Sequence, residues 1–340
     1  MVNPKSETRL RVIHFQRKAR PFNFSIESIF ENVRSHLKDK VAFSVKVCSQ
    51  FNDGYFSKLS NIIEAAFRQK KNAVNHITGE VNFLDLLMRK KNVLLTIHDC
   101  RYVERKKGIE KAIVKWLYLK APVKKAALVT AVSETTKQQI ICFTGCTPDK
   151  IIVIPVPVNE MFKPAPKNFN KKCPVILQIG TGENKNVLRI IEAIKDINCM
   201  LVLVGELHKA ILEQLKKNHT RYIAKSNLSA EEMYNEYVNA DIISFVSTYE
   251  GFGMPIIEAN AVERVVITSG ISSMPEVGHN AACYVNPYDV DDIKKGFLKL
   301  VENDEYRGML IANGRLNKLR FDPQRIADAY YSIYQKMVLS

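Results

Sequence analysis

The run Ser247-Thr248-Tyr249-Glu250-Gly251-Phe252-Gly253-Met254-Pro255-Ile256-Ile257-Glu258 gathers residue types that handle a phosphorylated, hydroxyl-rich ligand. It follows an apolar stretch, DIISFVS (241–247), and leads into a helical pattern, PIIEANAV (255–262). Gly251 and Gly253 leave the backbone free of Cβ atoms where a ligand would approach it. Pro255 suits the first helical position, and N–H groups at a helix start are donors for phosphate oxygens. Glu250 and Glu258 can hold hydroxyls on different parts of one extended ligand. Lys185 opens a second helical pattern, NVLRIIEAIKDI (186–197), and offers a point charge for a phosphate. In the first half, His98 ends the apolar run NVLLTIHD (92–99), at the strand end where open α/β sheets bind ligands. His76, in NHITG, also sits at a strand end. Each histidine reads either as a ligand contact or as a satisfied core residue. Arg17 and Arg20, in QRKARP (16–21), are either guanidinium forks for a diphosphate or part of a solvated basic loop.

These residues need strands and helices to position them, and the chain alternates the two throughout. Strand patterns fall at LRVIHF (10–15), VAFSVKVC (41–48), AVNHITG (73–79), NVLLTIHD (92–99), ALVTAVS (127–133) and KIIVIPVPV (150–158). Helical patterns between them include SIESIFENVRSHL (25–37), with Ser25 as its cap, and LSNIIEAAFRQKK (59–71). GIEKAIVKWLYLKAPVKKA (108–126) reads as a helix broken at Pro122. Five prolines between 155 and 174 mark a linker. Alternation then resumes through PVILQIG (174–180), CMLVLVG (199–205), RYIAKSN (221–227), DIISFVS, VVITSG (265–270) and ACYVNP (282–287). Near-continuous apolar strands separated by helices predict an α/β protein with two doubly wound parallel sheets, facing each other across a cleft.

Composition narrows the classes. With 340 residues, 46% of them hydrophobic and 25% charged, the chain is neither disordered nor collagen-like. No run reaches the ~18 apolar residues of a membrane span. The start MVNPKSETRL has charges and no apolar core, which predicts a cytoplasmic protein without a secretory signal. Seven cysteines, none in a CxxC pair, suit a reducing compartment. No HExxH is present, and no metal or other cofactor is expected. Charge is uneven: residues 1–160 hold 28 Lys and Arg against 14 Asp and Glu, and residues 161–340 hold 22 against 21. The basic half, with the cationic, Trp116-bearing stretch at 105–125, reads as either a docking face for an anionic membrane or a solvated surface. Motifs for specific nucleic-acid binding are missing, although the basic charge alone would permit such a class.

EGFGMPIIE resembles the E-x7-E signature of the retaining family 4 glycosyltransferases (glycosyl transferases group 1). ILQIGTGENKNVLRIIEAI, ADIISFVSTYEGFGMPIIEA, ITSGISSMPEVGHNAACYVNPYDVDDI, VLLTIHD and LVTAVSETTKQQI resemble other family segments, in family order. The resemblance implies a GT-B fold of two Rossmann-like domains. They would be an acceptor-binding domain at 1–160, a nucleotide-sugar domain at 173–322, and a C-terminal helix at 323–340 returning to the first. It implies hexosyl transfer from a nucleotide-diphosphate sugar, as co-substrate, to a hydroxyl acceptor such as a lipid-linked glycan. His98 and Glu250 would be catalytic. Lys185, Glu258, Thr181, Gly182, Arg17 and the backbone of Gly251, Phe252, Gly253 and Met254 would bind the donor. His76 and Arg20 would be possible acceptor or sugar contacts. Thr181 stands where the family commonly has an arginine. The chain would work at the inner face of the cell membrane as a peripheral protein. A sugar-nucleotide epimerase or a phosphorylase of the same fold is the enzymatic alternative.

Overall fold

The computed structural model describes residues 9–19 and 25–339, the side chain of Ser25 excepted, so Arg20 and the proposed Ser25 cap lie outside what it describes. The chain forms two units, Met1–Pro157 with Pro323–Ser340, and Val158–Asp322.

In the first unit, β1 (Leu10–Gln16), β2 (Val41–Val47), β3 (Val74–Ile77), β4 (Val93–Ile97), β5 (Leu128–Ala131) and β6 (Ile151–Val153) form one parallel sheet in the order β2-β1-β3-β4-β5-β6. All five residues of β4 are buried, which is why its sequence is almost unbroken Val, Leu and Ile. Helix α1 (Ser25–Leu37) buries Ile26, Ile29, Phe30, Val33 and Leu37, the one face its spacing predicts. Helix α2 spans Tyr55–Arg68, starting four residues before the apolar pattern, after the extended Gly54. The expected break at Pro122 does not occur. Helix α3 (Gly108–Lys115) runs through a π-helical turn, Trp116–Lys120, into Ala121–Lys125, where Pro122 occupies a first-turn position. The wider turn shifts the hydrogen-bond register just where proline supplies no N–H. The C-terminal helix Pro323–Leu339 belongs to this unit and buries Tyr330 and Tyr334.

The second unit repeats the design. β7 (Val175–Ile179), β8 (Met200–Val204), β9 (Tyr222–Lys225), β10 (Ile242–Phe245), β11 (Val265–Ser269) and β12 (Cys283–Val285) are parallel, in the order β12-β11-β10-β7-β8-β9. The chain starts in mid-sheet, winds one way through β8 and β9, then returns to lay β10 on the other side of β7, with Gln178 opposite Ser244. That reversal leaves a crevice at the carboxyl ends of β7 and β10. Helix α4 (Val187–Ile194) follows β7, and α5 (Met254–Ala261) follows β10.

Candidate functional site

The crevice of the second unit collects most of the predicted residues. Lys185 ends a short 3-10 turn after β7, and its Nζ donates to Glu250 Oε1 at 2.7 Å. The ammonium also lies 4.7 Å from the centre of the Phe245 ring. Gly180 (φ +81°) makes this possible, since a Cβ there would meet Lys185 Cε at 3.1 Å. Glu250 is only 16% exposed. Its Oε1 also accepts from Asn184 Nδ2 at 3.0 Å, and Asn184 holds the Tyr249 carbonyl at 3.0 Å as well. The loop is tied from its other flank: Ser272 and Ser273 hydroxyls donate to the Glu250 carbonyl, and Ser273 also reaches the Phe252 carbonyl at 2.6 Å.

Gly253 adopts φ +118°, the left-handed region, as the residue capping α5. Helix α5 therefore begins at Met254, one residue before the position expected for Pro255. Phe252 is buried against Phe321, with ring centres 5.5 Å apart, so it contributes backbone rather than side chain to the crevice. Gly251 and Met254 remain half-buried beside it, and Gly182 caps the turn that carries Lys185. Glu258 lies one turn into α5 and accepts from the hydroxyl of the fully buried Tyr237. Burial pushes the Glu258 carboxyl up to about 7, against the opposing pull of the Tyr237 hydrogen bond and the Lys185 charge. The carboxyl can thus accept or donate a proton near neutrality.

Thr181, also expected at the donor, follows β7. It is buried, and its hydroxyl donates to the Glu206 carbonyl at 2.6 Å, so its side chain is already engaged within the unit.

In the first unit, His98 follows β4, and its Nε2 donates to the Thr78 carbonyl at 2.8 Å. A carbonyl only accepts, so Nε2 carries the proton and Nδ1 keeps its lone pair. Burial lowers the His98 pKa, which keeps the ring neutral. Gly79 (φ +131°) lies against this ring: a Cβ there would be 2.3 Å from His98 Cδ2.

His76 is corrected from a possible sugar contact to a core histidine. It is fully buried, with Nδ1 2.8 Å from the Tyr334 hydroxyl and Nε2 2.7 Å from Thr96 Oγ1. Burial, then His98, lowers its pKa to about 3. His14 contacts the same Tyr334 hydroxyl at 3.1 Å. Arg17, an expected donor contact, is engaged by acidic side chains. It is 9% exposed, grips Glu27 through two nitrogens at 2.8 and 3.2 Å, and pairs with Glu80. Two carboxylates already engage its fork.

The residues that sequence reasoning missed are Asn184, Tyr237, Ser272, Ser273 and Gly79. Asn184 adjoins Lys185 in the GENKN run and could have been flagged there. Tyr237 meets Glu258 across 21 positions and leaves no local signal.

Residues 160–317 match the family described as "Glycosyl transferases group 1", and residues 49–161 match "Glycosyltransferase Family 4". The chain is 27% identical over 221 residues to the O-antigen chain mannosyltransferase B of Escherichia coli, covering 58% of this chain and 57% of that one. It is 30% identical over 227 residues to the O-antigen chain mannosyltransferase RfbU of Salmonella typhimurium, covering 63% and 61%. The match thus spans little more than half the length of these curated relatives. The fold is similar to that of Anabaena Alr3699/HepE, solved with UDP and glucose, with TM-score 0.80 and 14% identity over 96% of this chain and 100% of that one.

Proposed function

Because the chain belongs to the group 1, family 4 glycosyltransferases, we propose that it moves a hexosyl group from a nucleotide-diphosphate sugar to a hydroxyl of a lipid-linked glycan precursor, retaining the anomeric configuration. The observation carrying the donor half is the grouping of Lys185, Glu250 and Glu258 at the carboxyl ends of β7 and β10. In this reading Glu258 holds the ribose hydroxyls. Lys185 leaves Glu250 to neutralise the diphosphate, and Glu250 is then free to bind hydroxyls of the donor sugar. Backbone N–H groups of Gly251, Phe252, Gly253 and Met254 assist at the α5 start. His98 accepts a sugar hydroxyl at Nδ1. The bond from the anomeric carbon to the diphosphate oxygen breaks, the acceptor oxygen bonds the same face, and its proton passes to the departing diphosphate. Charge neutralisation and positioning then supply the rate, with no metal.

Membrane docking is part of this reading. The basic first half supports it, as does an exposed apolar face on α2 made of Tyr55, Phe56, Leu59, Ile63 and Phe67. Ile109, Ile113 and Trp116 are exposed on the neighbouring stretch. Among the described residues, no helix is long and apolar enough to cross a membrane.

A thermal-shift screen over UDP-, GDP-, ADP- and TDP-sugars tests the donor. The mannosyl names of the relatives make nucleotide-linked mannose the first choice. Only the nucleotide sugar that binds the native state raises Tm. NMR of the product then reads the anomer, and EDTA should leave turnover intact. No stabilisation by any donor would refute the proposal, and free epimerised nucleotide sugar without acceptor would favour the epimerase.

A further inference from the structure

Tyr237 is fully buried, yet its hydroxyl serves a residue of the donor crevice. It lies near the end of the helix Ala230–Asn239, which is held at both ends. Ser229 and Glu232 close a capping box at its start. At its end the buried Arg264 donates to the Val238 carbonyl at 2.6 Å and to the Ala240 carbonyl at 2.9 Å. The Phe162 ring stands edge-on to the Tyr237 ring, with centres 5.0 Å apart. The hydroxyl so placed donates to Glu258 Oε2. Glu258 Oε1 has no hydrogen-bond partner among the described residues, and the residue keeps partial exposure.

We propose that Tyr237 is a positioning residue for the donor: by occupying Oε2 it fixes the Glu258 carboxylate with Oε1 open to the vicinal hydroxyls of a ribose. The inference rests on the glycosyltransferase reading, in which Glu258 takes the ribose. An ionised carboxyl only accepts, which suits two hydroxyl donors, and a hydrogen bond from Tyr237 favours the ionised form. Burial opposes that form, and the Lys185 charge supports it. Other charged groups on or beside the elements packed against α5 have partners of their own. Arg264 is spent on backbone carbonyls, Arg315 pairs with Glu263 at 2.8 Å, and Arg320 bonds Asn317 at 2.8 Å. Removing the Tyr237 hydroxyl therefore leaves Lys185 alone to oppose burial.

Calorimetry on wild type and Tyr237→Phe tests this, with GDP, UDP and ADP, each beside its 2′-deoxy form, from about pH 6 to 9. The substitution keeps the ring and deletes only the hydroxyl. Wild type should gain affinity for its preferred nucleotide as pH rises through about 7, where Glu258 ionises. In Tyr237→Phe that midpoint should move up by about one unit or more, the scale of one charge-assisted hydrogen bond. Affinity near pH 7 should then fall about fivefold or more, and recover to within about twofold near pH 9. A terminal phosphate titrates at about pH 6 with either protein, so the difference between the two is free of it. The preference for ribose over 2′-deoxyribose should shrink, because an untethered carboxyl no longer holds both hydroxyls. With Glu258→Gln in place, Tyr237→Phe should shift no midpoint. A loss of equal size at every pH, an unshifted midpoint or an unchanged ribose preference would overturn the proposal. Wild-type affinity that is flat across about pH 7, or indifferent to the 2′-hydroxyl, would overturn it without any variant. The two readings fail separately. If no nucleotide binds wild type, or Glu258→Gln binds like wild type, the donor-site reading falls and takes this inference with it. If Glu258→Gln weakens binding while Tyr237→Phe leaves the midpoint in place, only the role of Tyr237 falls.

Discussion

Gly79→Ala should dislodge His98, and the structure supplies the magnitude. The new Cβ would lie 2.3 Å from His98 Cδ2 and 2.6 Å from Nε2, closer than a methyl carbon can approach either atom without a shift. Two costs follow. Alanine at φ +131° is strained by about 1–3 kcal/mol. Expelling the ring also breaks the Nε2–Thr78 hydrogen bond, worth about 0.5–1.5 kcal/mol net. The sum, about 2–4 kcal/mol, corresponds to a fall in Tm of roughly 4–16 °C at about 2–4 °C per kcal/mol. A double-mutant cycle separates the two costs. With His98→Ala already in place there is no ring to expel, so Gly79→Ala should then cost only the backbone strain. Denaturant unfolding of the four proteins should therefore show less than additive destabilisation, by about 1 kcal/mol or more. Turnover of Gly79→Ala should fall to the level of His98→Ala while donor affinity is kept. Strict additivity, or a fully active Gly79→Ala enzyme, would refute the seating argument.

Lys185→Ala and Glu258→Ala should each weaken the preferred nucleotide sugar by about 1–3 kcal/mol in calorimetry, because each leaves a charge-assisted contact unmade. Glu250→Ala should reduce turnover more than nucleotide affinity, and equal losses in both would reassign it to the diphosphate end. Glu258 also predicts a pH effect. Its folded pKa, about 7, is above the ordinary 4.5, so the folded state holds the extra proton between those values. Its stabilising contribution is then complete below about 4.5 and is lost as pH rises to about 7. The Tm of wild type minus that of Glu258→Gln should decline across that window, and a flat difference would show that the carboxyl is not desolvated. In flotation assays the protein should bind anionic vesicles, weakly bind neutral ones, and release in salt. Reversing Lys111, Lys115 and Lys124 to Glu should abolish binding without unfolding, and indifference of wild type to anionic lipid would end the membrane reading.

Strand and helix alternation, the two doubly wound sheets and the Glu250–Glu258 segment were legible in the sequence alone. Each depends on local periodicity: buried parallel strands are nearly pure Val, Ile and Leu, and a glycine loop before a helix is contiguous. Element ends were less legible. Neither the extension of α2 to Tyr55 nor the passage of a helix through Pro122 follows from periodicity, because a π turn is a response to packing and hydrogen-bond register. The fates of individual polar side chains were decided only by tertiary structure. His76 and His98 look alike in sequence, each at a strand end. Tyr334, 258 residues away, and Thr96 engage both nitrogens of His76, whereas one carbonyl engages one nitrogen of His98 and leaves the other open. Arg17 is engaged by Glu27 and Glu80, and Glu258 owes its raised pKa to burial beside Tyr237. A side chain's chemistry is written locally, but its availability depends on which distant groups the fold brings within about 3 Å, and hydrogen bonds reach no farther than that.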